Sequence, residues 1–267
     1  MYSALSANHT VVKNLFFNGP RAGININDGA HGGHDVRGNL FFNLVRETSD
    51  HGAINTWDRE PYVQTWRAGA RTPAPSRIRG NFLVNTHFGI HPLDHDDGSN
   101  AFVDTANVVA FAGMKNFLGF NKNTDGNLFV RPDIAGARWD PDNRGPAVPM
   151  PRAYYFPYCA RSLGQKPWGD LADTFRNNTC VMNYSVSLYR FGSCDPKAPQ
   201  RSGDIPVASG NTFYTPGGHA AFVCGKKSLS ISQAQKVGYE AGSRVEDSAG
   251  ISVTDIKNMI RQRLGGF

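Results

Sequence analysis

The chain has 267 residues, 19% charged and 40% hydrophobic, and its 28 Lys and Arg against 22 Asp and Glu give a net charge of +6. This composition excludes a disordered chain, and no apolar run reaches the roughly 18 residues of a membrane span. Glycine at 29 residues and asparagine at 22, of which 16 precede residue 128, exclude a helical bundle, because both disfavour helix interiors and favour tight turns.

A repeat runs through the first half. Asn14-Leu-Phe-Phe-Asn18 recurs as Asn39-Leu-Phe-Phe-Asn43, Asn81-Phe-Leu-Val-Asn85, Asn107-Val-Val-Ala and Asn127-Leu-Phe-Val, with weaker copies at Asn178-Thr-Cys-Val-Met-Asn183 and Asn211-Thr-Phe-Tyr. The stronger copies step by 25, 42, 26 and 20 residues. The step of 42 is either one circuit with an inserted loop, for which Pro61 to Pro75 supplies the residues, or two circuits of which one lacks its asparagine. A period in the low twenties, with one short apolar strand per period and Asn or Gly at its corner, predicts an all-β fold of the parallel β-helix type. Sandwich strands recur about every 8–12 residues and propeller blades about every 40–50, so both fit less well.

Polar residues collect beyond the closing asparagines. Arg21 and Arg46 each lie three places past one; Asp28, the pair Asp50-His51 with Asn55, and the run Asp94 to Asp97 lie further along. Stacking of equivalent positions about 4.8 Å apart brings these groups to one side of neighbouring circuits, a site-sized constellation. Asp94, Asp96 and Asp97 are oxygen donors suited to Ca2+, without the spacing of an EF-hand. His87, His91 and His95 recur every four residues, but Gly89 and Pro92 argue against a helix that would make them a metal face.

Residues 131–176 interrupt the repeat with prolines and with Trp139, Tyr154, Tyr155, Phe156, Tyr158 and Trp168, and read as an inserted excursion, held by Cys159, whose aromatics either stack on sugar rings or pack the loop down. Cys159, Cys180, Cys194 and Cys224 allow two disulfides in three pairings, and the sequons at Asn8, Asn177 and Asn183 suit a secretory route. The leading residues show neither a basic start nor an apolar stretch, so no signal peptide is visible. In the tail, 228–267, Thr254 to Leu264 places Ile256, Met259, Ile260 and Leu264 on one helical face with Gly265 as a stop, a helix expected to cap the C-terminal end. No counterpart precedes Val11, which predicts either a missing upstream segment or a protein partner over the first circuit. The whole, 1–267, reads as one domain.

Three blocks, Arg46-Glu-Thr-Ser-Asp-His-Gly-Ala-Ile-Asn-Thr-Trp-Asp-Arg59, Asp94-His-Asp-Asp-Gly-Ser99 and Lys115-Asn-Phe-Leu-Gly-Phe-Asn-Lys122, together with the Gln235, Gly238, Glu240, Ser243 segment, resemble right-handed parallel β-helix proteins of the pectate-lyase-like superfamily. Asp94-His-Asp-Asp97 is also similar to the Asp-Pro-His-Asp signature of mannuronan epimerases, but its proline, Pro92, lies two places early. The resemblance implies a carbohydrate substrate, often acidic, and a secreted or cell-surface protein; the superfamily includes lyases, hydrolases, epimerases and non-enzymatic members.

The first functional expectation is a polysaccharide lyase acting on uronic-acid chains. His51, oriented by Asp50, is the expected base; Arg46, Arg59 and Lys115 would neutralise the substrate carboxylate; Asn55, Trp57, Asp58 and His95 would contact sugar; Asp94, Asp96 and Asp97 would carry Ca2+. The second is an inverting glycoside hydrolase with its two carboxylates drawn from Asp50, Asp58, Asp94, Asp96 and Asp97. The third is a non-catalytic glycan-binding or structural protein. The positive charge suits an anionic polysaccharide, whereas scattered basic residues without a zinc-finger or RNA-binding signature argue against nucleic acid.

Overall fold

The computed structural model describes residues 1–4, 6–28, 32–48, 51–58, 74–85, 91–134, 137–139, 146–149, 158–163, 172–191, 207–224 and 227–265. Three largely parallel sheets account for most of them. Apart from the antiparallel hairpin of Ala137–Trp139 and Pro146–Pro149, consecutive strands through Thr212–Thr215 visit the sheets in turn, and equivalent strands of successive circuits pair in parallel. The first circuit is Tyr2–Ala4, Thr10–Val12 and Leu15–Phe17; the second is Ile24–Asn27, Asp35–Arg37 and Leu40–Phe42. The same order continues through Ile54–Trp57, Ser76–Arg79 and Phe82–Val84 to Ser187–Phe191, Val207–Ser209 and Thr212–Thr215.

All seven copies of the repeat lie in the third sheet, whose eighth strand is Arg244–Asp247. Leu40–Phe42 pairs directly with Phe82–Val84, so the step of 42 residues is a single circuit. Each strand turns its central residue inward, stacking Phe41, Leu83, Val109, Phe129, Cys180 and Phe213 in register. The first sheet supplies Ile24, Ile54, Leu93 and Met114 to the same core, and the second supplies Val36 and Ile78.

The corner between the second and third sheets explains the asparagines. A residue with positive φ, successively Lys13, Gly38, Gly80, Ala106, Gly126, Asn177 and Gly210, turns the chain just before each one. Each asparagine from 39 onward then accepts, through Oδ1, the backbone N–H and the Nδ2–H of its counterpart one circuit earlier. Asn107 Oδ1 takes both from Asn81 at 3.0 Å, and Asn127 Oδ1 takes them from Asn107 at 2.9 and 3.0 Å. Every one of these side chains from Asn39 to Asn211 is buried, where an unpaired amide would be costly.

The row ends at a designed stop. Asn211 donates its backbone N–H to Ser243 Oγ at 2.8 Å and its Nδ2–H to Glu240 Oε2 at 2.9 Å. Burial pushes the Glu240 carboxyl above its usual range, against the hydrogen bonds from Asn211 and Ser243. Gln235 Nε2 donates to the carbonyls of Glu240 and Ser243 at 3.2 and 3.0 Å.

The C-terminal helix forms as expected, over Val253–Leu264, with a capping box of Ser252 and Asp255 and with Gly265 at φ 67. It does not cap the end of the stack. Ile256, Met259, Ile260 and Leu264 lie on the outer face of the third sheet, against Val108, Ala110, Leu128, Val130 and Val181. The end is covered instead by the antiparallel strand Lys227–Ser230 and the short helix Ile231–Lys236, whose Ala234 is buried in the main core.

Within 131–176, Ala160–Leu163 and Thr174–Arg176 are strands of the first and second sheets, in register with neighbours on both sides. The aromatic cluster of this segment falls mostly outside the described residues. Cys159 is bonded to Cys180, with Cα atoms 6.3 Å apart, which selects one linkage among the possible pairings; Cys194 lies outside the described residues. Among the described residues no helix is long and apolar enough to cross a membrane.

The interior holds a polar centre between the first two sheets. Lys122 Nζ lies 3.0 Å from Asp173 Oδ2 and also donates to the carbonyls of Ser99 and Leu118, with both side chains fully buried. Burial lowers the Lys122 pKa and raises that of Asp173, while their mutual attraction opposes both shifts.

Candidate active site

Alternation along the strands of the first sheet sorts its residues to two faces. Ile24, Ile26, Ile54, Thr56, Leu93 and His95 point inward; Asn25, Asn27, Asn55, Trp57, Asp94 and Asp96 point outward. Register then aligns Asn25, Asn55, Asp94, Lys115 and Arg161 in one outward row across five circuits. Asn55 Nδ2 donates to Asn25 Oδ1 at 2.7 Å, and Asn25 Nδ2 donates to Asn27 Oδ1 at 2.9 Å.

Further along the row Lys115 Nζ sits 2.9 Å from both Asp94 Oδ1 and Asp96 Oδ1. Burial works against its charge, but the two carboxylates outweigh that effect and hold its pKa above the usual lysine value. His91, buried beside this group, is held well below the usual imidazole range by burial and then by the positive charges of Lys115 and Arg161. It is therefore a neutral ring.

At the end of the row nearer the first circuit the surface opens into a groove of about 780 Å3, whose lining includes Arg21, Asn25, Asn27, His51, Asn55, Trp57, Asp96 and Asp97. The Arg21 guanidinium crosses from the preceding circuit to bond His51 Nε2. A guanidinium only donates, so Nε2 is the acceptor and the imidazole is neutral, with its proton on Nδ1.

The structure thus gathers His51, Asn55, Trp57, Asp96 and Asp97 around one groove, with Asp94 and Lys115 adjoining it. Three expected residues are elsewhere. His95 lies one place out of phase with Asp94 and Asp96, so it faces the interior, where Nδ1 meets Thr56 Oγ1 and Nε2 meets Asp104 Oδ2, each at 2.9 Å. It does not line the groove. Asp58 is buried and accepts from Asn100 Nδ2 at 3.2 Å, away from the groove lining. Arg46 is exposed and does not line the groove. Asp50 and Arg59 lie outside the described residues. Lys115 faces outward as expected, but its charge is already matched by two aspartates rather than held ready for a substrate carboxylate. Asp94 and Asp96 converge on that ammonium, and among the described residues no group of three or more His, Cys, Asp or Glu is placed to hold a metal ion.

Arg21 belonged to the polar constellation read from the sequence but carried no expected role there; the structure brings its guanidinium to His51 at the groove. Its signal was its place three residues after Asn18, shared with Arg46, but only the folded corner shows which of the two arginines turns over the groove. No protein-family model matches the chain, and no curated protein or solved structure matches it at a significant level.

Proposed function

We propose that the chain is a right-handed parallel β-helix protein of the pectate-lyase-like kind, and that its first-sheet groove cleaves an acidic polysaccharide by β-elimination. The cyclic order of the three sheets and the buried asparagine row support the architecture. The observation that carries the function is the meeting of Arg21 and His51 at a groove that also presents Trp57 and the amides of Asn25 and Asn55.

β-Elimination on a uronic-acid unit needs a cation for the carboxylate and a base for the adjacent C5 proton. Arg21 pairs with the carboxylate, which stabilises negative charge developing at C5. His51, neutral and with an unprotonated Nε2, takes the C5 proton. The C5–H electron pair becomes the C4–C5 double bond, the C4–O4 bond breaks, and O4 leaves with its electron pair and takes a proton from water. Trp57 offers a flat apolar face to a sugar ring, and the asparagine amides supply donors and acceptors for hydroxyls. A secreted setting agrees with the Cys159–Cys180 disulfide.

An inverting hydrolase needs one carboxyl that holds a proton for the leaving oxygen. Lys115 engages both Asp94 and Asp96 as counterions, which favours the lyase reading over that one. The test is incubation with a set of polyuronates, following ultraviolet absorbance of the unsaturated product. His51→Ala should abolish the signal; full activity in that variant overturns the assignment. Reducing ends without absorbance would select hydrolysis, and binding without either product would select a glycan-binding protein.

A further inference from the structure

Arg21 and His51 belong to successive circuits, 30 residues apart in sequence, and nothing in the packing of the core requires them to touch. Arg21 is exposed and His51 half-buried. The guanidinium occupies the lone pair that a base would use. We propose that Arg21 is a latch and a specificity residue: it holds His51 in the Nδ1–H tautomer with Nε2 towards the groove, and a ligand carboxylate draws the guanidinium away and exposes that lone pair. The groove therefore selects sugars with a carboxylate on the unit beside His51 over neutral sugars of the same shape. This rests on the uronate reading of the same groove.

The chemistry explains why a base would be covered at rest. An uncovered imidazole at a groove edge is open to protonation, whereas a donated hydrogen bond from a cation favours the neutral ring. A carboxylate offers the guanidinium two acceptor oxygens in place of one ring nitrogen, so the exchange is downhill only for an acidic ligand. Among the described residues the other charged groups lining the groove are Asp96, Asp97 and the Met1 amino group, and the last is bonded to the Gly23 carbonyl at 2.6 Å. Asp96 is held by Lys115 on the far side of the groove from the preceding circuit.

The experiment observes His51 directly, by long-range proton–nitrogen NMR of ring-labelled full-length protein, with and without trimers of galacturonic, glucuronic and mannuronic acid and their methyl esters. Without ligand, His51 Nε2 should be unprotonated at neutral pH. At least one acidic trimer should perturb the Nε2 signal, and its methyl ester should not. Arg21→Met should raise the pH at which His51 titrates and weaken binding of that acidic trimer by about 10- to 100-fold, while Arg21→Lys should restore part of the affinity without the fixed tautomer. A protonated Nε2 in the free protein, no selectivity for acid over ester in any pair, or unchanged binding in Arg21→Met would each overturn the proposal. Acid-selective, Arg21-dependent binding without any cleavage would keep this inference and overturn the lyase reading alone.

Discussion

Replacing Asn107 by alanine tests whether the buried amide row holds the circuits together. Asn107 Oδ1 accepts two hydrogen bonds from Asn81, both at 3.0 Å, and Nδ2 donates to the Ile78 carbonyl at 2.8 Å and to Asn127 Oδ1 at 3.0 Å. Asn127 Oδ1 keeps the backbone N–H of residue 107, but the backbone N–H and an amide hydrogen of Asn81 and the Ile78 carbonyl lose a partner in a site closed to water. At about 1–3 kcal/mol for each stranded group, partly relieved by relaxation, Asn107→Ala should cost about 3–6 kcal/mol. Asn14 occupies the equivalent place on the first circuit, exposed, where water replaces what is lost. Asn14→Ala should therefore cost less than about 1 kcal/mol. Denaturant midpoints of the two variants, followed by far-ultraviolet circular dichroism, give the comparison without assuming that stacked circuits unfold in one step. Equal midpoints would refute the argument that the row is a stabilising device.

His91 is neutral in the folded chain and protonates readily once unfolded, so stability should be intact above its ordinary value near 6.5 and fall as pH drops below it; His91→Gln should flatten that decline in pH-dependent melts. Lys122→Met strands the Asp173 carboxylate in the interior and should cost about 3–5 kcal/mol, whereas Lys122→Met with Asp173→Leu should recover most of the loss in a double-mutant cycle; additive losses would contradict direct pairing. Replacing both Cys159 and Cys180 by serine should lower stability by about 2–4 kcal/mol in denaturant melts of the oxidised proteins, and an unchanged midpoint would contradict it.

The third sheet was legible in the sequence because its strands share one motif, an asparagine followed by three residues with the middle one buried. Even the degenerate copies at Asn178 and Asn211 fell in place, since the amide is required at that corner whatever the strand contains. The first and second sheets were not foreseen as separate strands. Their segments, such as Asn123–Asp125 and Ser76–Arg79, are short and polar on the outer face, and alternation over three or four residues is too brief to read. The same brevity misplaced His95: with Asp94, His95 and Asp96 adjacent, only the paired register decides which of them turn outward. The terminal helix was visible from its spacing of apolar residues, but a periodic face shows only that the helix has something to cover. Its actual seat needed the knowledge that Val108, Leu128 and Val181 project outward from neighbouring strands.

That seat bears on how the chain is made. Arg263 reaches back 137 residues to donate to the Gly126 carbonyl at 2.6 Å, and its other amino group bonds Thr179 Oγ1 at 3.3 Å. Circuits can assemble one upon another as they leave the ribosome, each templated by the edge of the last. The apolar strip on their flank, however, waits for Val253–Leu264, which is synthesised after every strand it covers. During that interval a nascent chain carries folded strands with an uncovered greasy side, the kind of surface that holding chaperones grip, and the arrival of this helix is what closes it.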